Sequence, residues 1–283
     1  MYLRTPRTVP ARHQANSLLS SIITAHGPLQ TFNSLTEIRC KFAFHGNALE
    51  LKGYGPKTRL PSITIYPQHQ DPLNTTLPWT ISTNLGDGDP TDRWIFTPKR
   101  VWIENAKGEL LEELNDPRES CEGHVLTTKW NDLQLCYFLS YAMYNYLTMP
   151  WLFTRPDFST TELPPHIEAN HPDPTRPLLV THPTDFPTHT RTQTFYFGAK
   201  DSLLKRFDYE VDIFGGVAAH YVFDYKRVKG TGLVFPSVRR VVGRNGETGE
   251  VRWGGQTAFW VQYLELGVVD GEGRVWGEVE RVM

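Results

Sequence analysis

The chain has 283 residues, 39% of them hydrophobic and 21% charged, with a formal net charge of −2. That is enough apolar material for one large domain with a packed core, and a near-neutral balance without a basic stripe argues against a nucleic-acid partner. Three scattered cysteines, Cys40, Cys121 and Cys136, contain no CxxC and suggest neither a disulfide framework nor a thiolate zinc site.

The opening stretch, MYLRTPRTVPARHQ, has no apolar segment before its first charges, and no run of about 18 apolar residues follows anywhere. A cytoplasmic protein without a membrane span is therefore expected. From Ala11 to His26 the apolar residues Leu18, Leu19, Ile22, Ile23 and Ala25 recur at helical spacing, with Gly27 as the stop. GPLQTFNSL reads as a short second helix, so helices cover about 11–34. TEIRCKFAFHG alternates Ile38, Cys40, Phe42 and Phe44 with polar residues and predicts a half-buried strand. ALELKG reads as its neighbouring strand. PSITIYP, PWTISTN, DRWIFTP, RVWIEN and ELLEEL continue the series between Pro, Gly, Asn and Asp breaks.

The pattern changes at Trp130. Residues 130–147 are apolar nearly all round and free of Gly and Pro, which predicts a buried helix. Tyr137, Tyr141 and Tyr144 fall on one of its stripes, Leu135, Leu139, Ala142 and Tyr146 on another. Asp132, in the first turn, suits the positive end of the helix dipole. PPHIEANHPDPTRP, within 163–177, reads as a surface loop or mobile flap. Strands then resume: PLLVTH, HTRTQTFYF, SLLKRFDYEVDIF, AHYVFDYKRV, LVFPSVRRVV and QTAFWVQYLEL, with GEVRWGG and RVWGEVE as weaker segments.

Long strand series on either side of one helix argue against a parallel βαβ fold. The expected class is mainly β (α+β): one large curved antiparallel sheet, an open barrel, wrapped around the central helix with helices at the N-terminus. A single domain over 1–283 accounts for this order, and two β domains hinged near 160–175 are the alternative.

Two segments carry candidate chemistry. In a strand, His220, Val222 and Asp224 share one face and Tyr221, Phe223 and Tyr225 the other. A two-residue turn at Gly215-Gly216 sets Val211 opposite His220, Tyr209 opposite Val222 and Phe207 opposite Asp224, so that His220 and Asp224 join an apolar wall. A three-residue turn would move them to a solvated face beside Asp208, Glu210 and Asp212. The two groups are roughly 13 Å apart along the strand, so they would act separately on a ligand. In HTRTQTFYF, one face carries His189, Arg191, Gln193, Phe195 and Phe197, where His189 and Gln193 would position a carbonyl or hydroxyl. Of Arg239 and Arg240, on opposite faces of one strand, one must point inward and needs a carboxylate or an anionic ligand. Signatures of the P-loop, GxSxG, HExxH and dinucleotide GxGxxG kind are missing, and the ten histidines show no metal-ligand spacing. No cofactor or metal is expected.

The segment NSLLSSIITAHGPLQTFNSLTEIRCKFAF resembles the opening of proteins related to the bacterial lipoprotein carriers LolA and LolB. IFTPKRVWIEN, TTKWNDLQLCYFLSYAMYNYL and FDYEVDIFGGVAAHYVFDY resemble soluble, uncharacterised proteins with a similar beginning. Pro28 stands where a second glycine often follows Ala-His-Gly. The resemblance implies an open β-barrel whose concave face, partly plugged by helices, holds an apolar ligand. It brings no catalytic residues.

The expected function is a cofactor-independent isomerase, cyclase or lyase acting on a small hydrophobic, secondary-metabolite-like molecule held by shape and by acid/base groups. His220, Asp224 and His189 are the catalytic candidates. Tyr137, Tyr141, Tyr144, Gln193, Tyr209 and Arg240 are the ligand-binding candidates. The alternative is a non-catalytic carrier of a lipid or hydrophobic metabolite.

Overall fold

The computed structural model describes residues 11–68, 77–168, 171–252 and 256–282. Two helices come first, α1 (Ala11–His26) and α2 (Leu29–Asn33). Gly27 separates them at φ +118°, and a Cβ there would meet the Gly232 carbonyl at 2.6 Å, so the Ala-His-Gly ending requires glycine. β1 (Leu35–His45) follows, with Ile38, Cys40, Phe42 and Phe44 buried as its alternation predicts. Then come α3 (Asn47–Lys52), β2 (Ser62–Ile65), β3 (Thr80–Thr83), β4 (Arg93–Thr97), β5 (Arg100–Glu104) and β6 (Leu110–Asn115). The long helix α4 (Asp132–Thr148) leads to β7 (Ser159–Glu162), β8 (His166–Glu168), β9 (His171–Thr181), β10 (Thr192–Gly198) and β11 (Leu204–Val211). β12 (Gly216–Val228), β13 (Val234–Gly243), β14 (Phe259–Asp270), β15 (Val275–Trp276) and β16 (Val279–Arg281) complete the chain.

These strands make one antiparallel sheet in the order β6-β5-β4-β3-β2-β1-β14-β13-β12-β11-β10-β9-β7, with β8, β15 and β16 added at its margins. β6 and β7 end the path without pairing to each other, so the barrel stays open. α4 lies in the trough, with every residue from Leu133 to Thr148 buried. Its side chains reach both halves of the sheet. Tyr137 packs on Phe96 of β4, and Tyr146 on Phe207 of β11 and His220 of β12. A helix with no solvent face must be held by such packing; burying one leucine contributes roughly 1.5–3 kcal/mol.

Three expectations change. ALELKG is helix α3, not a strand. Ala48, Leu49 and Lys52 are its buried residues, a spacing of three to four rather than two, in a run of strong helix formers. Most of the described residues within 163–177 are strand, not free loop. β8 pairs with β9, and β9 with β7 and β10. The prolines forfeit a donor but still accept: the Pro177 carbonyl takes Leu163 N–H, and the Pro174 carbonyl takes Ala199 N–H. Asp132 keeps its expected place in the first turn of α4, behind the N-cap Asn131 and its capping box with Gln134, and accepts from the Tyr54 hydroxyl at 3.0 Å. The β11–β12 turn is longer than two residues: Val211 faces Gly216, Tyr209 faces Ala218 and Phe207 faces His220. The shift is by an even number, so His220 keeps the inner face while every partner changes. Residues 1–10, Ala169-Asn170 and Trp253–Gly255, on which parts of the sequence reading fall, lie outside the described residues. Among the described residues no helix is long and apolar enough to cross a membrane.

Candidate functional site

α4 carries its tyrosines into a buried polar chain. The two ring nitrogens of His189 meet the hydroxyls of Tyr141, 3.0 Å from Nδ1, and Tyr146, 3.1 Å from Nε2. One hydroxyl accepts from the ring N–H and the other donates to the bare nitrogen. His189 precedes β10, in the 182–191 connection, and its ring stacks on Tyr209 at 4.3 Å. The hydroxyls of Tyr146 and Tyr209 are hydrogen-bonded to each other. Tyr209 also approaches His220 Nδ1 at 3.5 Å. His220 stacks on Phe207 at 4.3 Å, and its Nε2 has no partner among the described residues.

Burial governs the protonation of this chain. It pushes His189 down to about 3, helped by the charge of Arg118, and His220 well below the ordinary histidine value. It raises Tyr141, Tyr146 and Tyr209 well above the ordinary phenol value. At neutral pH both imidazoles are neutral and the phenols keep their protons. Such groups are poor general acids and bases, which work best with a pKa near the ambient pH.

The remaining candidates are occupied in other ways. Tyr137 is bonded to Arg118, which also donates to the Thr188 carbonyl and pairs with Asp212. Tyr144 packs on Trp79 and donates to the Pro67 carbonyl at 3.4 Å. Gln193 donates to Thr188 Oγ1 and to the Thr190 carbonyl, closing the loop before β10. Asp224 does not share the inner face with His220. Its backbone is left-handed, φ +52°, so the alternation breaks there and Tyr225 turns inward instead. The Asp224 carboxylate accepts from Ser237 and pairs with Lys226 and Arg281, and the Ser237 hydrogen bond holds it below the usual carboxylate range. Arg240 points away from the trough, to Thr257 Oγ1 at 3.1 Å. Arg239 is the inward arginine. It donates to the Tyr263 hydroxyl at 3.0 Å and the Tyr146 carbonyl at 2.8 Å, and lies 4.6 Å above the Tyr146 ring. It has no carboxylate partner among the described residues, so the rings and a helix carbonyl hold its charge.

A cavity of about 400 Å³ opens beside this chain, at the end of the trough where β11 turns into β12. Phe138 of α4, Tyr209, Phe214, Ala218, Val241 and Phe259 form its inner wall. Tyr209 is the residue of the polar chain that lines it. Arg244 and Arg252 stand at its more exposed side. Ligand pockets commonly span roughly 300–1,000 Å³ with mostly apolar walls and few polar groups. A larger hollow of about 660 Å³ lies between α2 and residues 151–157, where Leu29, Phe32, Trp151 and Leu152 alternate with Asn33, Gln68, Arg155 and Asp157 in a mixed wall. Among the described residues no three His, Cys, Asp or Glu side chains converge as a metal site. The sequence shows that one of Arg239 and Arg240 faces inward, but Arg240 was the candidate and Arg239 is the inward one. The contact of Tyr146 with His189 was missed, because a helix buried all round offers no stripe that would single it out.

The chain is similar to several solved structures. A LolA superfamily protein from Nitrosomonas europaea is 9% identical, with 89% of this chain and 92% of that one covered and a TM-score of 0.47. A DUF1329 family protein from Desulfovibrio piger is 9% identical over 89% and 92% of the two chains, TM-score 0.48. A domain named for outer-membrane lipoprotein sorting, from Vibrio parahaemolyticus, is 9% identical over 92% and 94%, TM-score 0.44. No family model matches the chain, and no curated protein does.

Proposed function

We propose that this protein binds one small hydrophobic molecule in the cavity walled by Phe138, Tyr209 and Phe259, and carries it without transforming it. The observation that carries this reading is the contrast between the cavity and its surroundings. The hollow is apolar and open to entry, whereas His189 and His220 sit behind Tyr209 with their protonation fixed by burial. A ligand there gains from removal of apolar surface from water, about 25 cal/mol per Å² before the costs of association.

A second reading, a cofactor-independent isomerase, cyclase or lyase, draws support from one contact. Tyr209 touches the cavity, His189 and His220, so a proton path through its hydroxyl would connect a ligand to both imidazoles. The raised pKa of that hydroxyl and the lowered ones of the imidazoles favour carriage.

The test is a fluorescence titration with N-phenyl-1-naphthylamine, a neutral apolar dye. Wild type should saturate at one dye per chain. Ala218→Phe, which fills the cavity from β12, should lower the affinity at least tenfold while leaving the far-ultraviolet circular dichroism unchanged. Equal binding by both proteins would remove the cavity from the account.

A further inference from the structure

We infer that the cavity takes a hydrocarbon, a neutral molecule that carries no hydroxyl, carbonyl or acidic group into the hollow. The inference rests on the carrier reading and adds the chemical class of the ligand. Among the described residues three polar side chains line the cavity, Tyr209, Arg244 and Arg252, and none of them is aimed at its interior. The Tyr209 hydroxyl is turned into the core, where it bonds to Tyr146 and approaches His220 Nδ1 at 3.5 Å. Asp208 and Tyr209 are neighbours on β11 and so lie on opposite faces of the sheet. The Arg244 guanidinium is on the face of Asp208, which its Nε approaches at 3.8 Å, and a Cβ on Gly249 of the following hairpin would lie 3.6 Å from its Nη1. Arg252 is exposed at the rim and hydrated there.

The backbone of the wall is engaged as well. Val211 pairs with Gly216 and Tyr209 with Ala218 across the β11–β12 ladder, and Ala218 pairs with Gly243 across the next. Gly215 N–H donates to the Val211 carbonyl, Arg244 N–H to that of Val217 and Arg252 N–H to that of Gly243. On the opposite side, Ala48 N–H donates to the Ala258 carbonyl and Ala258 N–H to that of Val241. The inner surface is thus carbon, supplied by Phe138, Phe214, Val241 and Phe259. A hydroxyl carried inside would lose its water without gaining a partner, and a charged group would lose more. Hydrocarbon meets no such cost and gains from leaving water.

The experiment ranks limonene, perillyl alcohol, α-terpineol and perillate, which share one carbon skeleton, by displacement of N-phenyl-1-naphthylamine at about pH 8, where the acid is ionised. The two alcohols carry their hydroxyls at opposite ends of the skeleton, so both orientations in the cavity are sampled. Limonene should bind roughly tenfold tighter than either alcohol, a difference of about 1.4 kcal/mol, and perillate should bind weaker than both. Arg252→Gln should leave this order unchanged and each affinity within about twofold, as expected of a charge exposed to water. An alcohol that matches limonene, or perillate that binds tighter than limonene and loses the advantage in Arg252→Gln, would overturn the hydrocarbon and leave the carrier reading standing. Bound dye that limonene cannot displace would do the same. Failure of the dye itself to bind, or equal binding of it by Ala218→Phe, would overturn the carrier reading and the inference together.

Discussion

His189 shows how far residue identity alone carries. In the sequence it sits in a threonine-rich strand segment where it would position a ligand. In the fold it is a core histidine with both nitrogens served by helix α4. The spacing of Tyr141 and Tyr146 was visible, but not that one ring, arriving from 43 and 48 residues away, would lie between them. Tyr146→Phe should leave His189 Nε2 buried without a partner, at a cost of about 1–3 kcal/mol in urea unfolding. The buried histidines also set an acid limit. Burial pushes His26 and His182 down to about 4 and His189 to about 3. The unfolded chain takes up these protons near pH 6.5. Between those values it binds more protons than the folded chain, so this stability is complete above about pH 6.5 and is lost as pH falls toward 4. The melting temperature should drop across that window, and His189→Gln should reduce the slope. An undiminished slope would mean that His189 is not held neutral. The arginine pair was legible as a pair, one inward and one outward. Which one pointed inward depended on register, and it is Arg239.

Element boundaries were legible where one period dominates. β1, β10 and α4 follow their alternation or their uninterrupted apolar run. ALELKG was misread because six residues with apolar positions 48, 49 and 51 fit either period, and tertiary contacts choose between them. The chain turns at Gly46, φ +146°, and Ala48 N–H donates to the Ala258 carbonyl. A Cβ on Gly46 would lie 2.2 Å from that same carbonyl. Gly46→Ala should therefore shift α3 away from β14, cost roughly 1–3 kcal/mol, and weaken dye binding, since Ala48 and Ala258 both line the cavity. An unchanged melting temperature would show that the contact is relieved at no cost. The proline-rich arm at 163–177 was misread for the opposite reason. Its composition says loop, yet the carbonyls of Pro174 and Pro177 still accept hydrogen bonds and β8 pairs with β9.

At the scale of the molecule, the antiparallel layout around one helix was legible from the order of segments and from the resemblance to lipoprotein carriers. The cavity was not, because its place depends on the β11–β12 turn and on the hairpin after β13. We infer that 1–283 unfolds as one unit, since α4 packs against both halves of a continuous sheet. Urea transitions followed by tryptophan fluorescence and by circular dichroism should coincide; two separated transitions would favour two bodies hinged near 160–175. The central claim is that a hydrophobic guest occupies the hollow beside Tyr209. A crystal of the complex with a terminally brominated dodecanol, located by the anomalous signal of bromine, tests it most directly. The account predicts one bromine site among Phe138, Val241 and Phe259. A bromine site elsewhere, with that hollow filled only by water, would contradict it.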